Sequence, residues 1–476
     1  MNTATNSKSS APNRLIDVRP VEPVGAGIKT VVPYPNAQQL AFQEMGLGLF
    51  IHFGMNTFTG EGTGGKGAHP PATFHPTALN CDDWVATAKD MGAEYAVLTS
   101  RHEEGFCLWP TKTTDYSVAN SPWRNGQGDV VAEFVAACRR GGIKPCFYHS
   151  SLMDARSLFR PGDAIAWHEQ WFQSTNRRLS EPGELERFQY QQIIQIRELL
   201  TNYGDIGYLW LDHIGETQGI LLPELIEPFW LAIVAEVRRL QPNCLILKAD
   251  VYLTKDLDGH GGFHGGRSSY PLWHASKRED TFEGQGDPVM DPDHGDQYVV
   301  WESNTVFSGG WFWNGDGVKE LSEMIEHFYA TIGRGSTFLP NFAPDRSGCM
   351  PALVRERARA FGAWRQATFG KSLNLRADIT EQTATFTLDA AAAISHIILQ
   401  EDLRQGQRIR SFILEAETER GWEKIVAGES IGQMRILKLD TVLTVKALRW
   451  TCTSSLGGQP HLRSCNVFGP TASIAG

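Results

Sequence analysis

The chain has 476 residues, 41% of them hydrophobic and 21% charged, which suits one large domain plus a smaller one and excludes a disordered chain or a coiled coil. Its net charge of −10, from 54 acidic and 44 basic residues with no basic block, disfavours a nucleic-acid partner. No run of about 18 apolar residues occurs, the opening MNTATNSKSSAPNR lacks the apolar stretch of a secretory signal, and the eight cysteines form no C-x-x-C pair. The expectation is a soluble cytoplasmic protein with reduced thiols, no membrane association, no disulfide framework and no structural zinc.

Residues 1–35, with Pro20, Pro23, Pro33 and Pro35 and little periodicity, read as an extended N-terminal arm. Short, nearly continuous apolar runs follow at 47–53, 95–100, 143–151, 206–213 and 244–250, the pattern of strands buried on both faces. Between them, 81–92, 128–142 and 187–204 carry apolar residues at helical spacing and close on glycine. This alternation predicts parallel α/β architecture. Polar residues cluster where each apolar run ends, namely His52, Arg101 with His102, His149, Asp212 and Asp250. In an eightfold barrel those ends share one face, so a (β/α)8-like barrel over 36–370 is preferred to a doubly wound sheet, with 352–366 as its last helix. From 371 to 476 the texture changes to short alternating runs, TATFTLD, SHIILQED, IRSFILEAE, GWEKIVAG, RILKLD and VKALRWTC, which predict a C-terminal antiparallel β-sandwich.

The chain carries 14 Trp, 24 Phe and 11 Tyr, and aromatic-lined clefts suit sugars, whose apolar faces stack on rings while their hydroxyls take hydrogen bonds. Asp212 ends a buried run, a costly place for a carboxylate unless it has a partner or a task; capping the next helix is the structural alternative. Asp250 has the same placement among lysines and reads as structural. His52 and His102 sit on separate run ends with Glu103, Glu104 and Asp212 nearby, a set able to ligate a metal or to bond sugar hydroxyls. No H-x-H or H-x-x-x-H pair occurs near them, which weighs against the metal. The segment VVWESNTVFSGGWFWNGDG (299–317) places Glu302 beside Trp301 and ahead of Trp311 and Trp313. An Asp, further acids, histidines and aromatics around one barrel mouth suit glycoside hydrolysis, in which one carboxylate attacks the anomeric carbon and a second group handles the proton.

Six segments in order, QQLAFQEMGLGLFIHFGMNTF, LTSRHEEGFCLWPTKTTDYSVANSPWRNGQGDVV, YLWLDH, ESNTVFSGGWFW, IGRGSTFLPNFAPDRSG and LQEDLRQGQRIRSFILE, resemble the α-L-fucosidases of glycoside hydrolase family 29, closest to the α-1,3/4-fucosidase branch. The resemblance implies a barrel plus sandwich, no metal or other cofactor, a fucosylated or related oligosaccharide as substrate, and retention through a covalent glycosyl-enzyme. The family's W-F-D-G nucleophile falls on Asp212, its F-I-H-F-G histidine on His52, and the first histidine of H-H-D-G-F on His102. Glu103 stands where the family has a second histidine, and the Y-x-S-P-W-D-R segment is reduced to Tyr148-His149-Ser150-Ser151-Leu152. The stretch matching the family's acid/base segment, 250–262, has Asp256, Asp258 and His260 but no Glu. The expected function is therefore an exo-acting α-L-fucosidase, or a relative with an altered sugar preference, with Asp212 as nucleophile. Glu302 is the first candidate for acid/base, ahead of Glu283, Asp258 and Glu103. Substrate contacts are expected from His52, His102, Glu103, Trp109, Tyr148, Asp258 and Trp313. A sugar-binding protein without activity and a metal-dependent barrel hydrolase are the rival readings.

Overall fold

The computed structural model describes residues 32–63, 69–151, 154, 182–212, 223–248, 258–264, 274–275, 297–315, 317–380 and 382–471. Of the N-terminal arm only 32–35 fall within them. Eight parallel strands close into a barrel: β1 (Gly48–Ile51), β2 (Tyr95–Arg101), β3 (Lys144–Ser150), β4 (Tyr208–Asp212), β5 (Leu245–Lys248), β6 (Gly259–His264), β7 (Val300–Val306) and β8 (Thr337–Asn341). They neighbour one another in chain order, and β8 returns to pair with β1. The first five coincide with the apolar runs. The sixth, GHGGFH, has too little apolar character to stand out.

The helices form where apolar spacing and caps agree. Cys81–Met91 starts at Asn80, whose side chain accepts from the Asp83 amide at 3.1 Å, and stops at Gly92 with φ +79°. Val130–Gly141 starts at Asp129, which accepts from Ala132 at 2.8 Å. Their buried faces and the outward residues of the strands make one hydrophobic core, while inward residues such as Phe50, Tyr95, Val97, Tyr148, Tyr208, Trp210, Leu247 and Leu339 make a second inside the barrel. Helix α1 (Ala37–Met45) closes the floor, with the Phe42 ring tilted against Tyr95 at 5.3 Å and edge-on to Tyr208 at 5.4 Å. No helix among the described residues is long and apolar enough to cross a membrane.

The helix Ala352–Phe369 ends the barrel, and a six-stranded antiparallel sheet with its own core follows from Leu375 to Phe468. Here the sequence's short strands merge. TATFTLD and SHIILQE belong to one 19-residue strand, Thr383–Glu401, and RILKLD and VKALRWTC to one 21-residue strand, Arg435–Ser455. The linking segments, AAAAI and TVLT, read as breaks because they do not alternate, yet they stay in the sheet, where the register shifts between Thr387 and Ala392 and between Ile394 and His396. Tyr329 joins the two domains, stacked on His396 at 5.9 Å with its hydroxyl 2.8 Å from Nε2.

Candidate active site

The barrel floor is set by Glu302, the third residue of β7, a strand that runs on to Val306. Glu302 is fully buried and accepts from the Tyr95 hydroxyl at 2.6 Å and from Tyr208 at 3.0 Å. Tyr95 and Tyr208 each begin their strands, and Asp212 ends the same strand as Tyr208, about 13 Å further along. A layer containing Phe50 and Trp210, 5.0 Å apart, lies between. The sequence places Glu302 at a strand end beside Asp212; the structure puts it on the opposite face, so it cannot serve as that residue's acid/base.

Burial pushes the Glu302 carboxyl up to about 7, with the two tyrosine donations acting the other way. A carboxyl raised above its unfolded value stabilises the fold below about 4.5 and loses that contribution as pH climbs through 7, roughly 3 kcal/mol in all. Glu302→Gln is therefore expected to flatten the fall in melting temperature between pH 5 and pH 8 while leaving any activity at the opposite face of the barrel intact. Buried Glu104 and Glu401, raised to about 8 and about 7, keep their own slopes, so the difference between wild type and variant isolates Glu302. Identical slopes in thermal unfolding would refute the placement of this titration on Glu302.

Asp258 is the second relocation. It precedes β6 at the floor, where Oδ2 accepts from the Ile246 amide at 2.8 Å and from Arg238 at 2.5 Å, and its carbonyl accepts from Gln39 at 2.7 Å. It fastens strands and helix together and does not face the mouth. Trp109 is also structural, because its indole N–H donates to Glu198 of the helix Glu184–Asn202 at 2.8 Å, behind the barrel wall. Arg101 and His149 point the same way. Arg101 is buried with Gln195 at 2.6 Å and the Ser150 carbonyl, and His149 lies 3.3 Å from the Ser100 hydroxyl, held neutral by burial and by Arg101. In a strand, neighbours alternate sides, so with Tyr148 facing inward His149 cannot. Glu283, Asp256 and Asp250 lie outside the described residues, as does the side chain of His260.

At the C-terminal mouth the other predicted residues do meet. The Tyr148 hydroxyl donates to Asp212 Oδ2 at 2.5 Å, and Asp212 is half-buried, while its backbone carbonyl accepts from the Ser151 amide at 3.1 Å. His102 stacks on Tyr148 with ring centres 5.2 Å apart and planes 11° apart, and His52 lies 5.6 Å from His102. Trp311 and Phe312 flank His52 at 5.0 and 5.3 Å. Trp313 continues that segment, half-buried, with the Arg346 guanidinium 5.4 Å from its ring. Glu103 is half-buried on the turn after β2, next to His102. Burial lowers His52 to about 3, against the opposing effect of its bond to Asn341, so the ring is neutral.

Sequence reasoning does not single out two residues that brace this mouth. Asn341, the last residue of β8, meets His52 Nδ1 at 2.6 Å, and Asn56 donates to Glu104 Oε2 at 3.1 Å. Asn341 had a signal, since it is polar at the end of the run TFLP; Asn56 had none. Glu104 is buried and raised to about 8, mainly by desolvation, and its Oε2 lies 3.9 Å from His102 Nδ1. Among the described residues, no three His, Cys, Asp or Glu side chains are gathered as for a metal ion.

The sequence model of the family described as Alpha-L-fucosidase matches residues 68–368. Alpha-L-fucosidase 1 of Arabidopsis thaliana is 30% identical over 458 residues, covering 88% of this chain and 84% of its own length. The plasma alpha-L-fucosidase of Homo sapiens is 24% identical, covering 69% of this chain and 68% of its own. The crystal structure of a glycoside hydrolase 29 family member from an unknown rumen bacterium superposes with a TM-score of 0.76 at 28% identity, over 94% of this chain and 79% of that one. A Ruminococcus gnavus GH29 fucosidase crystallised with fucose shares the fold, with a TM-score of 0.72 at 20% identity over 95% and 97% of the two chains. With its barrel, its sandwich and a carboxylate framed by histidines and aromatics at the barrel mouth, the chain belongs to the alpha-L-fucosidase family of glycoside hydrolases.

Proposed function

We propose that the protein removes terminal α-L-fucosyl residues from glycans with retention of configuration, with Asp212 as nucleophile. The observation that carries this reading is the pair of Asp212 and Tyr148 at the C-terminal mouth, beside His102 and the neutral ring of His52. Tyr148 donates to one carboxylate oxygen and thereby orients the group. Asp212 attacks the anomeric carbon as the aglycone oxygen leaves with a proton from the acid, and the C–O bond formed holds the sugar on the enzyme. Water then adds to the anomeric carbon, gives its proton to the conjugate base and releases Asp212. His52 and His102 bond sugar hydroxyls, and Trp311 and Trp313 cover the apolar face.

With Glu302 and Asp258 on the floor, the proton-handling role falls to Glu103 at the mouth or to Glu283. The test combines a panel of 4-nitrophenyl glycosides with trapping. The α-L-fucoside should be hydrolysed faster than the α-L-galactoside or β-D-galactoside, releasing α-L-fucose first, and 2-deoxy-2-fluoro-L-fucosyl fluoride should add its sugar mass to the peptide containing Asp212. No turnover of any glycoside, or β-L-fucose as the first product, would sink the proposal.

A further inference from the structure

The register partner of Asn341 across the seam of the barrel is Phe50 of β1, so its side chain stands inside the mouth with that of His52. Its carboxamide makes three bonds. The nitrogen donates to the carbonyls of Gly310 at 3.1 Å and Trp311 at 2.8 Å, and the oxygen lies 2.6 Å from His52 Nδ1. Which end of a carboxamide is nitrogen follows from its partners, and here the partners decide it. Two carbonyls only accept, so the nitrogen faces them and the oxygen faces His52. An oxygen at that distance requires the proton on Nδ1. On a neutral ring, Nε2 then holds only a lone pair.

We propose that Asn341 is a positioning residue that fixes His52 as a hydrogen-bond acceptor at Nε2 and, through the same carboxamide, sets the aromatic segment around it. The proposal deepens the fucosidase reading and rests on His52 lying in the sugar site. A lone pair at Nε2 pairs with a sugar hydroxyl that donates, and it repels a ring or ether oxygen presented at the same place. The opposite tautomer would reverse that choice. Because Asn341 also holds the carbonyls of Gly310 and Trp311, the ring of Trp311, 5.0 Å from His52, is placed by the residue that sets the imidazole's proton. One side chain thus couples the polar and the apolar halves of sugar recognition.

Burial keeps His52 neutral across the working range. Among the described residues, the titratable groups facing it are His102 from the turn after β2, with Glu104 behind it, and Tyr148 from β3, with Asp212 beyond. Its other ring neighbours, Phe50, Trp311 and Phe312, carry no charge.

The first test is nitrogen-15 NMR of the protein labelled at its 14 histidines, with the His52 signals identified by their loss in His52→Gln. Expected is an Nδ1–H, Nε2-bare pattern that does not titrate between pH 5 and pH 8. An Nε2–H pattern, or titration in that range, would overturn the proposal. The second test is Asn341→Asp, whose carboxylate still accepts from Nδ1 but favours the imidazolium and cannot donate to the two carbonyls. Its kcat/KM for an aryl α-L-fucoside should fall roughly 100-fold at pH 5 and recover in part towards pH 8 as His52 gives up its proton. Asn341→Leu should fall by a similar factor at every pH. A pH profile of wild-type shape in Asn341→Asp would refute the role, since a residue that only braces the strand ends would not change it. If a variant does not fold, the wild-type tautomer decides. The NMR result stands whether or not the protein hydrolyses fucosides, so failure of the activity reading and failure of this one are distinguishable.

Discussion

Replacing Asp212 by alanine is expected to cut turnover of an activated aryl α-L-fucoside by at least about a thousandfold, or about 4 kcal/mol of transition-state stabilisation. In the proposed mechanism the carboxylate supplies the bond that replaces the departing aglycone, and alanine offers nothing of similar nucleophilicity in its place. Removing it also vacates a space at the mouth, where Asp212 is half-buried, while the strand beneath stays packed through Tyr208, Leu209, Trp210 and Leu211. Folding should therefore be unaffected, and azide should enter the space and restore part of the rate, leaving β-L-fucosyl azide as the product. The measurement is steady-state turnover with and without azide, together with the thermal midpoint. Near-normal turnover in a folded Asp212→Ala protein would show that the nucleophile lies elsewhere.

The second large effect concerns the proton. A general acid matters most when the leaving group is poor, so its loss should slow a fucosylated oligosaccharide by about 10² to 10⁴ while sparing a dinitrophenyl fucoside, whose aglycone leaves unaided. Four variants sort the carboxyls: Glu302→Gln, Asp258→Asn, Glu103→Gln and Glu283→Gln. The two floor residues should treat both substrates alike, since one is bonded to Tyr95 and Tyr208 and the other to Arg238 and the Ile246 amide. Either Glu103 or Glu283 should separate the substrates. A clear separation by Glu302→Gln would contradict its position beneath the aromatic layer, and uniform behaviour of all four would assign the proton to another group.

Much of the architecture was legible in the residues themselves. Apolar runs such as YAVLTS and YLWL could only be strands covered on both faces, and Asn80 and Asp129 at one end with Gly92 and Gly142 at the other bounded the helices between them. Asp212 was visible because a carboxylate closing an apolar run is costly without a task, and His52 and His102 because they follow such runs. Family motifs then added roles that spacing alone does not give. These features are local, decided by a residue and its few neighbours, and a sequence displays them directly.

What only the tertiary structure decided was depth and side. Glu302 follows an apolar run as Asp212 does, but β7 continues four residues past it, so the same local pattern lands on the floor in one strand and at the mouth in the other. Tyr148 and His149 are adjacent in sequence, yet one meets Asp212 and the other packs behind the wall, because the pleat sends neighbours to opposite faces. Asp258 and Trp109 became structural through Arg238 and Glu198, partners on helices that the sequence does not pair with them. Asn341 and His52 are separated by 289 residues and meet because closure of the barrel brings its last strand beside its first. Strand length, pleat and closure are set by packing over the whole domain, and they determine which of the chain's polar residues share one mouth.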